Sequence, residues 1–128
     1  MGYMINFINV FLRTVTNKIF QFKGRSARTE YFIYTFFEML VFVPYAIWFR
    51  YYKIEPTLLN ISLLVLFFVF IIIHLFASTS LTIRRLHDCG LKGWWYLLSL
   101  IFSPIIFLMF CLIKGDKDKN KYGEPPVY

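Results

Sequence analysis

Cysteine and histidine, from which many metal sites and catalytic centres are built, are almost missing from this sequence. Two of each occur among 128 residues, and no C-x-x-C pair or second histidine cluster supplies the four ligands of structural zinc. Cys89 lies in a charged turn and Cys111 near the far end of the next apolar run, so they cannot pair if that run spans a membrane. We therefore predict no metal, no cofactor and no disulfide.

Charged residues are also scarce, at 16% of the chain, whereas hydrophobic residues make up 59% and aromatic residues 22%. This composition excludes an ordinary soluble domain of this size. The formal net charge of +7 would suit nucleic acid, but the basic residues stand at the ends of apolar runs, which is typical of proteins that face anionic lipid headgroups. We therefore expect membrane lipids as partners and no nucleic acid.

Three apolar runs, at about residues 31–52, 58–83 and 94–113, are each long enough to cross a bilayer once. A helix rises 1.5 Å per residue and needs about 20 residues to cross ~30 Å of hydrocarbon. Because a backbone exposed to lipid must satisfy its own hydrogen bonds, the spanning form is helical. The sequence predicts an all-α integral membrane protein, a single membrane domain over residues 1–128 with three transmembrane helices and a polar tail at 114–128.

Residues 1–23 have no long apolar core and no small-residue cleavage site, so a signal peptide is not expected. Apolar side chains recur there at alternating spacings of three and four, which is typical of one face of a helix. They are Ile5, Ile8, Leu12, Val15, Ile19 and Phe22. We predict an N-terminal amphipathic helix that lies in the membrane interface, with packing on the protein's own bundle as the alternative.

Lysines and arginines near the ends of the runs indicate the orientation of the chain. If all three runs cross the membrane, eight of these residues lie on the side of the N-terminus and six on the other side. This small bias favours a cytoplasmic N-terminus and an outer C-terminus. In an alternative arrangement, residues 94–113 dip into the membrane, bend at Ser103-Pro104 and return, which would leave the tail in the cytoplasm.

Three blocks of the sequence resemble the family called domain of unknown function 805, a group of small bacterial inner-membrane proteins. The blocks are FKGRSARTEY at residues 22–31, RRLHDCGLKGWW at residues 84–95 and GDKDKNKYG at residues 115–123. Their order and spacing cover nearly the whole chain. The resemblance implies a multi-pass protein of the bacterial cytoplasmic (inner) membrane and brings no established reaction. Residues 114–118 are more charged than the family's usual tail.

His87 and Asp88 are adjacent, as a catalytic base and its orienting carboxylate would be. Nucleophilic catalysis would also need a positioned serine or cysteine and a pocket, and a metal-dependent phosphohydrolase would need more histidine and aspartate ligands. The other histidine, His74, lies inside an apolar run. We therefore interpret the stretch as the end of the second helix, where Arg84 meets Asp88 at i, i+4 and Gly90 stops the helix. No catalytic residue is predicted.

Basic and aromatic side chains from two helix ends should meet at the cytoplasmic surface, because the first helix begins there and the second ends there. Arginine forks suit phosphate, and indole rings anchor at the depth of lipid headgroups. Simple positive-inside anchoring and internal pairing of Arg25 or Arg28 with Asp88 are the alternatives. The candidate residues for binding lipid or a partner membrane protein are Arg25, Arg28, Arg84, Arg85, His87, Asp88, Lys92, Trp94 and Trp95.

Glu38 and His74 place ionisable side chains inside the first two apolar runs. Glu38 lies ~12 Å along its helix from Glu30, and His74 lies ~15 Å before Arg84, so both reach a similar depth. Since an unpaired charge is costly there, we predict that the two side chains share a hydrogen bond. Hydroxyl groups that could help to satisfy them are those of Thr35, Ser78 and Thr82. The pair could hold two helices together or act as a proton relay or ion site.

Three functions are compatible with these features. The preferred one is a non-enzymatic accessory protein that binds anionic lipid headgroups or a partner membrane protein, which could be a second copy of itself. The first alternative is a subunit of a small transporter or channel that uses Glu38 and His74, and it would have to be oligomeric because three helices rarely enclose a pore. The second alternative is an enzyme that acts on a lipid phosphate through His87 and Asp88.

Overall fold

The computed structural model describes residues 7–51, 57–102 and 112–127 of the chain. Within these ranges the regular elements, in chain order, are α1 (Phe7–Val15), α2 (Arg28–Tyr51), α3 (Leu58–Asp88), a short 3-10 turn (Gly93–Trp95) and α4 (Tyr96–Phe102). The described residues form no strand beyond an isolated bridge between Asn120 and Gly123. The prediction of an all-α protein is confirmed.

The helices α2 and α3 are the two in the described part of the chain that are long and apolar enough to cross a membrane. They contain 24 and 31 residues, which correspond to lengths of about 36 and 47 Å at 1.5 Å per residue. Large hydrophobic side chains are exposed along most of both helices. Such surfaces suit lipid, whose tails are as apolar as these side chains.

Both ends of α3 carry residues that favour a helix boundary. Thr57 Oγ1 accepts a hydrogen bond from the N–H of Asn60 at 3.3 Å, as an N-cap does. At the other end, Gly90 has a φ of +72°, a left-handed conformation that glycine adopts without strain. The N–H of Leu91 then donates to the carbonyl of Leu86 at 3.0 Å, which completes a Schellman motif. The prediction that Gly90 ends this helix is confirmed.

The helix α1 packs against α2 and α3 at what we call the inner end, where α2 begins and α3 ends. The buried core there consists of Tyr31, Tyr34, Ala77 and Leu81, with Phe11, Val15 and Ile19 packed against it. The ring of Phe11 stacks on that of Tyr34 with 5.8 Å between centroids. Of the two predictions for the N-terminal segment, packing on the bundle is therefore observed for this face of α1.

The observed α1 differs from the predicted amphipathic helix in its length and in part of its apolar face. The helix ends at Val15, and residues 16–27 form turns and extended chain instead of continuing the helix to residue 23. Ile8 and Leu12 point away from the bundle and are 59% and 47% exposed, whereas Ile5 lies outside the described residues. A helix with apolar residues on two sides can pack on the bundle and contact lipid at the same time.

The described ends of residues 94–113 both contact α3, and the predicted third crossing is not confirmed. Near their start, the hydroxyl groups of Tyr96 and Thr79 are 2.9 Å apart. At their end, Arg85 donates a hydrogen bond to the carbonyl of Ile113. Both contacts are with the C-terminal part of α3, whereas the ends of a straight 20-residue helix would lie about 30 Å apart.

The described residues on either side of 103–111 therefore both lie beside the C-terminal part of α3. Residues 103–111 themselves lie outside the described part of the chain, and so does the predicted bend at Ser103-Pro104. Twenty uncharged residues are compatible with a crossing and with a return. The tail that follows lies against the end of α3, where the N–H of Asp116 donates to the carbonyl of Asp88 at 2.8 Å.

Candidate functional site

Polar side chains gather at three places along α2 and α3. We call these groups the Asp88 cluster (Arg25, Arg85 and Asp88), the Glu30 cluster (Lys18, Glu30 and Arg84) and the polar triad (Tyr34, Glu38 and His74). The first two lie at the inner end, and the polar triad lies further along the two helices. Each group joins residues that are distant in sequence.

In the Asp88 cluster, one carboxylate is held by two buried arginines. Asp88 Oδ1 accepts from Arg25 Nε at 2.9 Å and lies 2.8 Å from Arg25 Nη2. Asp88 Oδ2 accepts from Arg85 Nη1. All three side chains are buried, and charges in such surroundings are stable only when they are paired and hydrogen-bonded. The cluster therefore fixes the loop before α2 to the last turn of α3.

The remaining donors of Arg25 hold the C-terminal tail. Arg25 Nη1 donates to the carbonyl of Asp118 at 2.8 Å and to that of Gly123 at 3.2 Å. Arg25 Nη2 donates to the carbonyl of Asp116. A guanidinium group has five N–H donors in a fixed plane, and here they are shared between Asp88 and the tail. The tail therefore folds over the Asp88 cluster and covers it.

Gly115 is seated against the carboxylate at the centre of this cluster. A Cβ atom built on Gly115 would lie 1.9 Å from Asp88 Oδ2, far inside the contact distance of the two atoms. A larger residue would have to displace either the tail or Asp88. The close approach of the tail to α3 therefore requires glycine at this position.

His87 is also covered by the tail. Its imidazole stacks on the ring of Tyr122 with 3.8 Å between centroids, and Nδ1 lies 3.2 Å from the carbonyl oxygen of Gly24. Asn120 Nδ2 donates to the backbone carbonyl of His87 at 3.0 Å. His87 and Asp88 thus have different partners, and they do not form the base-and-carboxylate pair that their adjacency could indicate.

In the Glu30 cluster, a second buried carboxylate joins α1, α2 and α3. Glu30 Oε1 lies 3.0 Å from Lys18 Nζ and 3.1 Å from Arg84 Nη1, and Thr14 Oγ1 donates to it at 3.3 Å. Ser26 Oγ donates to Glu30 Oε2 at 2.8 Å. The sequence pattern did not predict this cluster. The signal in the sequence is Glu30 in the first turn of α2, together with Arg84 and Arg85 near the end of α3.

The two neighbouring arginines of α3 have different partners, which corrects the prediction that Arg84 pairs with Asp88. Arg85 makes that contact, at i, i+3, and Arg84 pairs with Glu30 of α2. Successive residues of a helix are rotated by about 100°. The pair of arginines therefore points in two directions, one towards α2 and one towards the tail.

Four of the nine predicted lipid-binding or partner-binding residues are buried in these clusters. Arg25, Arg84, Arg85 and Asp88 are each less than a tenth exposed and cannot face lipid phosphates, because they bind one another, Glu30 and the tail. Of the three possibilities for the basic surface, internal pairing with Asp88 is the one observed for Arg25. His87 is partly buried under Tyr122. The predicted residues that remain exposed at the inner end are Arg28, Lys92, Trp94 and Trp95.

The predicted contact between Glu38 and His74 is confirmed. His74 Nε2 lies 2.7 Å from Glu38 Oε1, and the hydroxyl group of Tyr34 lies 2.6 Å from His74 Nδ1. The three hydroxyl groups that were expected to help do not take part. Ser78 and Thr82 donate to carbonyls of their own helix, and Thr35 Oγ1 is buried with no hydrogen-bond partner among the described residues.

Comparison with known proteins agrees with this architecture. Residues 19–124 match the family described as "Protein of unknown function (DUF805)". The chain belongs to this family. It is similar to inner membrane protein YhaI of Escherichia coli K12 and to the protein of the same name from E. coli O157:H7, each 28% identical over 111 residues, which cover 84% of this chain and 86% of the relative. No solved structure matches the chain significantly.

Family membership, the inner-membrane relatives and the two long apolar helices together identify a membrane protein of a family whose function is unknown. The three blocks that carry the family resemblance meet at the inner end. The block at residues 22–31 supplies Arg25 and Glu30, the block at residues 84–95 supplies Asp88 and its neighbouring arginines, and the block at residues 115–123 supplies the tail.

Proposed function

We propose that this protein is a non-enzymatic accessory protein of the bacterial inner membrane, which crosses the membrane twice and binds anionic lipid headgroups with its inner end. In this proposal α2 and α3 span the bilayer and the inner end faces the cytoplasm. Both described ends of residues 94–113 lie on the side of the inner end. The ion clusters give the inner end a fixed shape, and the exposed basic side chains around them contact the headgroups.

The observation that carries the proposal is the position of the tail. Since the tail lies on the inner end, twelve of the fourteen lysines and arginines lie on that side. The other two are Arg50, near the end of α2, and Lys53, between α2 and α3 in the sequence. The positive-inside rule assigns such a strongly basic side to the cytoplasm. The twelve are Arg13, Lys18, Lys23, Arg25, Arg28, Arg84, Arg85, Lys92, Lys114, Lys117, Lys119 and Lys121.

The basic residues of the inner end divide into two groups by burial. The arginines of the ion clusters are buried and hold the fold together. The exposed group can reach lipid, and it consists of Arg13, Lys23, Arg28, Lys92, Lys114, Lys117, Lys119 and Lys121. A lysine or arginine near an anionic surface contributes about 1 kcal/mol, so several together favour a membrane rich in such lipids.

Two exposed indole rings support the same placement. Trp94 and Trp95 stack with 4.7 Å between centroids and are 56% and 38% exposed at the point where the chain enters α4. Tryptophan is enriched at the depth of lipid headgroups. The rings therefore mark the level at which the inner end meets the membrane.

The contacts of His87 and Asp88 support a role without catalysis. Both oxygen atoms of Asp88 accept hydrogen bonds from arginines, and the imidazole of His87 is stacked under Tyr122. A general base needs a free lone pair within reach of its substrate. Asp88 would have to leave both arginines to provide one.

Lipid preference tests the proposal directly. The full chain is reconstituted in nanodiscs that contain phosphatidylglycerol and phosphatidylcholine, and native mass spectrometry measures which lipid is retained. We expect enrichment of phosphatidylglycerol that falls as salt rises. The double variant Arg28→Gln/Lys92→Gln should lose about 1 kcal/mol of preference for each side chain.

The matched control removes the same charge from the other end, in Arg50→Gln/Lys53→Gln, and should keep the preference. An equal loss in both double variants would contradict the proposal. A wild-type chain that retains both lipids equally would also contradict it.

Cysteine labelling tests the two-crossing arrangement separately. In a Cys89→Ser/Cys111→Ser background, Val127→Cys should react with a membrane-impermeant maleimide from the cytoplasmic side, and Thr57→Cys from the opposite side. Labelling of both positions from one side would contradict two crossings with both ends inside.

A further inference from the structure

The polar triad lies between α2 and α3 in surroundings that are otherwise apolar. Glu38 Oε1, His74 Nε2, His74 Nδ1 and the hydroxyl group of Tyr34 form one continuous chain of contacts at 2.7 and 2.6 Å. The rings of Phe42 and Phe70 lie 5.2 and 6.0 Å from the imidazole, between centroids. The triad is therefore a hydrogen-bonded path that ends in a carboxylate on one side and a phenol on the other.

The charges near the triad come from few groups. Among the described residues, α2 contributes Tyr34 and Glu38, α3 contributes His74, and α1 contacts this region through the apolar ring of Phe11 on Tyr34. The nearest buried charges along α2 are in the Glu30 cluster, eight residues or about 12 Å from Glu38 along the axis. That cluster holds two cations and one carboxylate, and at about 12 Å it is too far from Glu38 to form an ion pair with it, so no cation contacts the triad directly.

An ionised Glu38 beside a neutral His74 would leave one uncompensated negative charge in this apolar region. Such a charge is costly within a membrane, and one added proton removes it. The triad offers two places for that proton. One is His74 Nδ1, and the other is Glu38 Oε2, which is buried and accepts no hydrogen bond from any described residue.

Tyr34 allows His74 to take up the proton without leaving the Tyr34 hydroxyl and the His74 Nδ1–H both donating towards each other. With a neutral imidazole, the Tyr34 hydroxyl donates to His74 Nδ1. With a protonated imidazole, Nδ1–H donates to the Tyr34 oxygen, and the hydroxyl can turn to the backbone carbonyl of His74, which lies 3.3 Å away. Both states therefore keep every donor directed at an acceptor, as a buried polar network requires.

We propose that Tyr34, Glu38 and His74 form a proton-binding site between α2 and α3 that holds one exchangeable proton at neutral pH. The proton resides on His74 Nδ1 or on Glu38 Oε2 and makes the triad electrically neutral. Glu38 is the less buried end of the site, since its side chain is 24% exposed and that of His74 is 12% exposed. The ligand of the site is the proton alone, and the site does not depend on lipid binding at the inner end.

The number of protons in the site can be measured in the full chain without substituting any residue of the triad. Two histidines occur in the chain, so ¹⁵N-histidine labelling in nanodiscs gives two imidazole signals, and His87→Gln identifies that of His74. Infrared spectra of protein with ¹³C-labelled glutamate report whether a buried carboxyl group is protonated. At pH 7 we expect either imidazolium beside ionised Glu38, or neutral imidazole beside protonated Glu38. A neutral imidazole beside an ionised Glu38 would overturn the proposal, and so would both groups protonated together.

Two variants test the charge argument. In Glu38→Gln the negative charge is gone, so His74 should be mostly neutral at pH 7, while the control Glu124→Gln in the exposed tail should leave His74 unchanged. In Tyr34→Phe the imidazolium loses its acceptor at Nδ1, so the proton should reside on Glu38. An imidazolium that persists in Glu38→Gln, or an ionised Glu38 beside neutral His74 in Tyr34→Phe, would each contradict the site. The second variant keeps the test decisive if the first does not fold.

Discussion

The two ends of the α2–α3 pair are stabilised in opposite ways. At the inner end, six charged side chains, a tail and α1 enclose the helices, and the fully buried side chains of the described chain lie within residues 14–34 and 77–88. At the other end, Tyr51 and Leu58 are 81% and 83% exposed, and aromatic rings provide the contacts between the helices.

This difference follows from what lipid does to helix association. Lipid tails are as apolar as leucine, so burying apolar side chains between two spanning helices gains little over leaving them in lipid. Polar groups have no such substitute, since an unpaired charge in that environment is costly. Paired charges therefore determine how α2, α3 and the tail fit together. Away from the inner end, contacts between aromatic rings are enough to hold the two helices side by side.

The largest expected effect is from breaking the Asp88 cluster. Asp88→Asn leaves Arg25 and Arg85 buried without their carboxylate, and removal of one partner of a buried ion pair costs about 3–5 kcal/mol. We expect a large loss in the free energy of unfolding, measured by chemical denaturation in detergent, and faster tryptic cleavage of the tail.

Glu124→Gln is the matched control for this variant, because it makes the same chemical change in an exposed pair with Lys119. Exposed pairs contribute about 1 kcal/mol or less. If both variants unfold alike, the Asp88 cluster does not hold the inner end together.

A smaller effect is expected from displacing the tail alone. In Gly115→Ala the new methyl group would overlap Asp88 Oδ2, and overpacking of this kind costs about 1–3 kcal/mol. Limited trypsin digestion should cut the tail lysines faster while α2 and α3 stay intact. Asp118→Ala is the control, since Arg25 binds the backbone carbonyl of that residue. A tail that is equally protected in Gly115→Ala and in the wild type would contradict the close fit.

At the end of the α2–α3 pair opposite the inner end, removing an aromatic contact should have a still smaller effect. Tyr45 stacks on Phe67 with 3.4 Å between centroids, and an aromatic pair contributes about 0.5–1.5 kcal/mol beyond its buried area. Tyr45→Leu should therefore lower the free energy of unfolding by less than Asp88→Asn does, with Tyr51→Leu on the exposed side as the control. A loss as large as that of Asp88→Asn would remove the contrast between the two ends.

The smallest effect concerns the reactivity of Cys89, just after α3. Burial raises the pKa of its thiol, an effect that the charge of Arg85 partly opposes. Because the thiolate is the reactive form, alkylation of Cys89 in a Cys111→Ser background should be slow at neutral pH and should rise only at a higher pH than for an exposed thiol. Val127→Cys, in a variant that also lacks Cys89, provides that exposed thiol. Equal rates at every pH would show that the inner end does not cover Cys89.

Features that depend on neighbouring residues were predictable from the sequence. The apolar runs of α2 and α3, the stop at Gly90 and the similar depth of Glu38 and His74 follow from hydropathy and from the rise of a helix, and each agrees with the structure. The choice between Arg84 and Arg85 as the partner of Asp88 was not predictable in the same way. Both spacings suit a helix, and the deciding contact of Arg84 is with Glu30, 54 positions away.

The sequence by itself determined that this is a helical membrane protein of a recognisable family, with a basic, aromatic turn after its second long helix, because composition and periodicity act locally. Only the tertiary structure decided that the tail lies against the end of α3 and the start of α2. The physical reason is that an uncharged run of this length has the same sequence pattern whether it crosses the membrane or returns to the side from which it came. The hydrogen bonds of Arg25 and Arg85 to the tail exist only once distant parts of the chain have met.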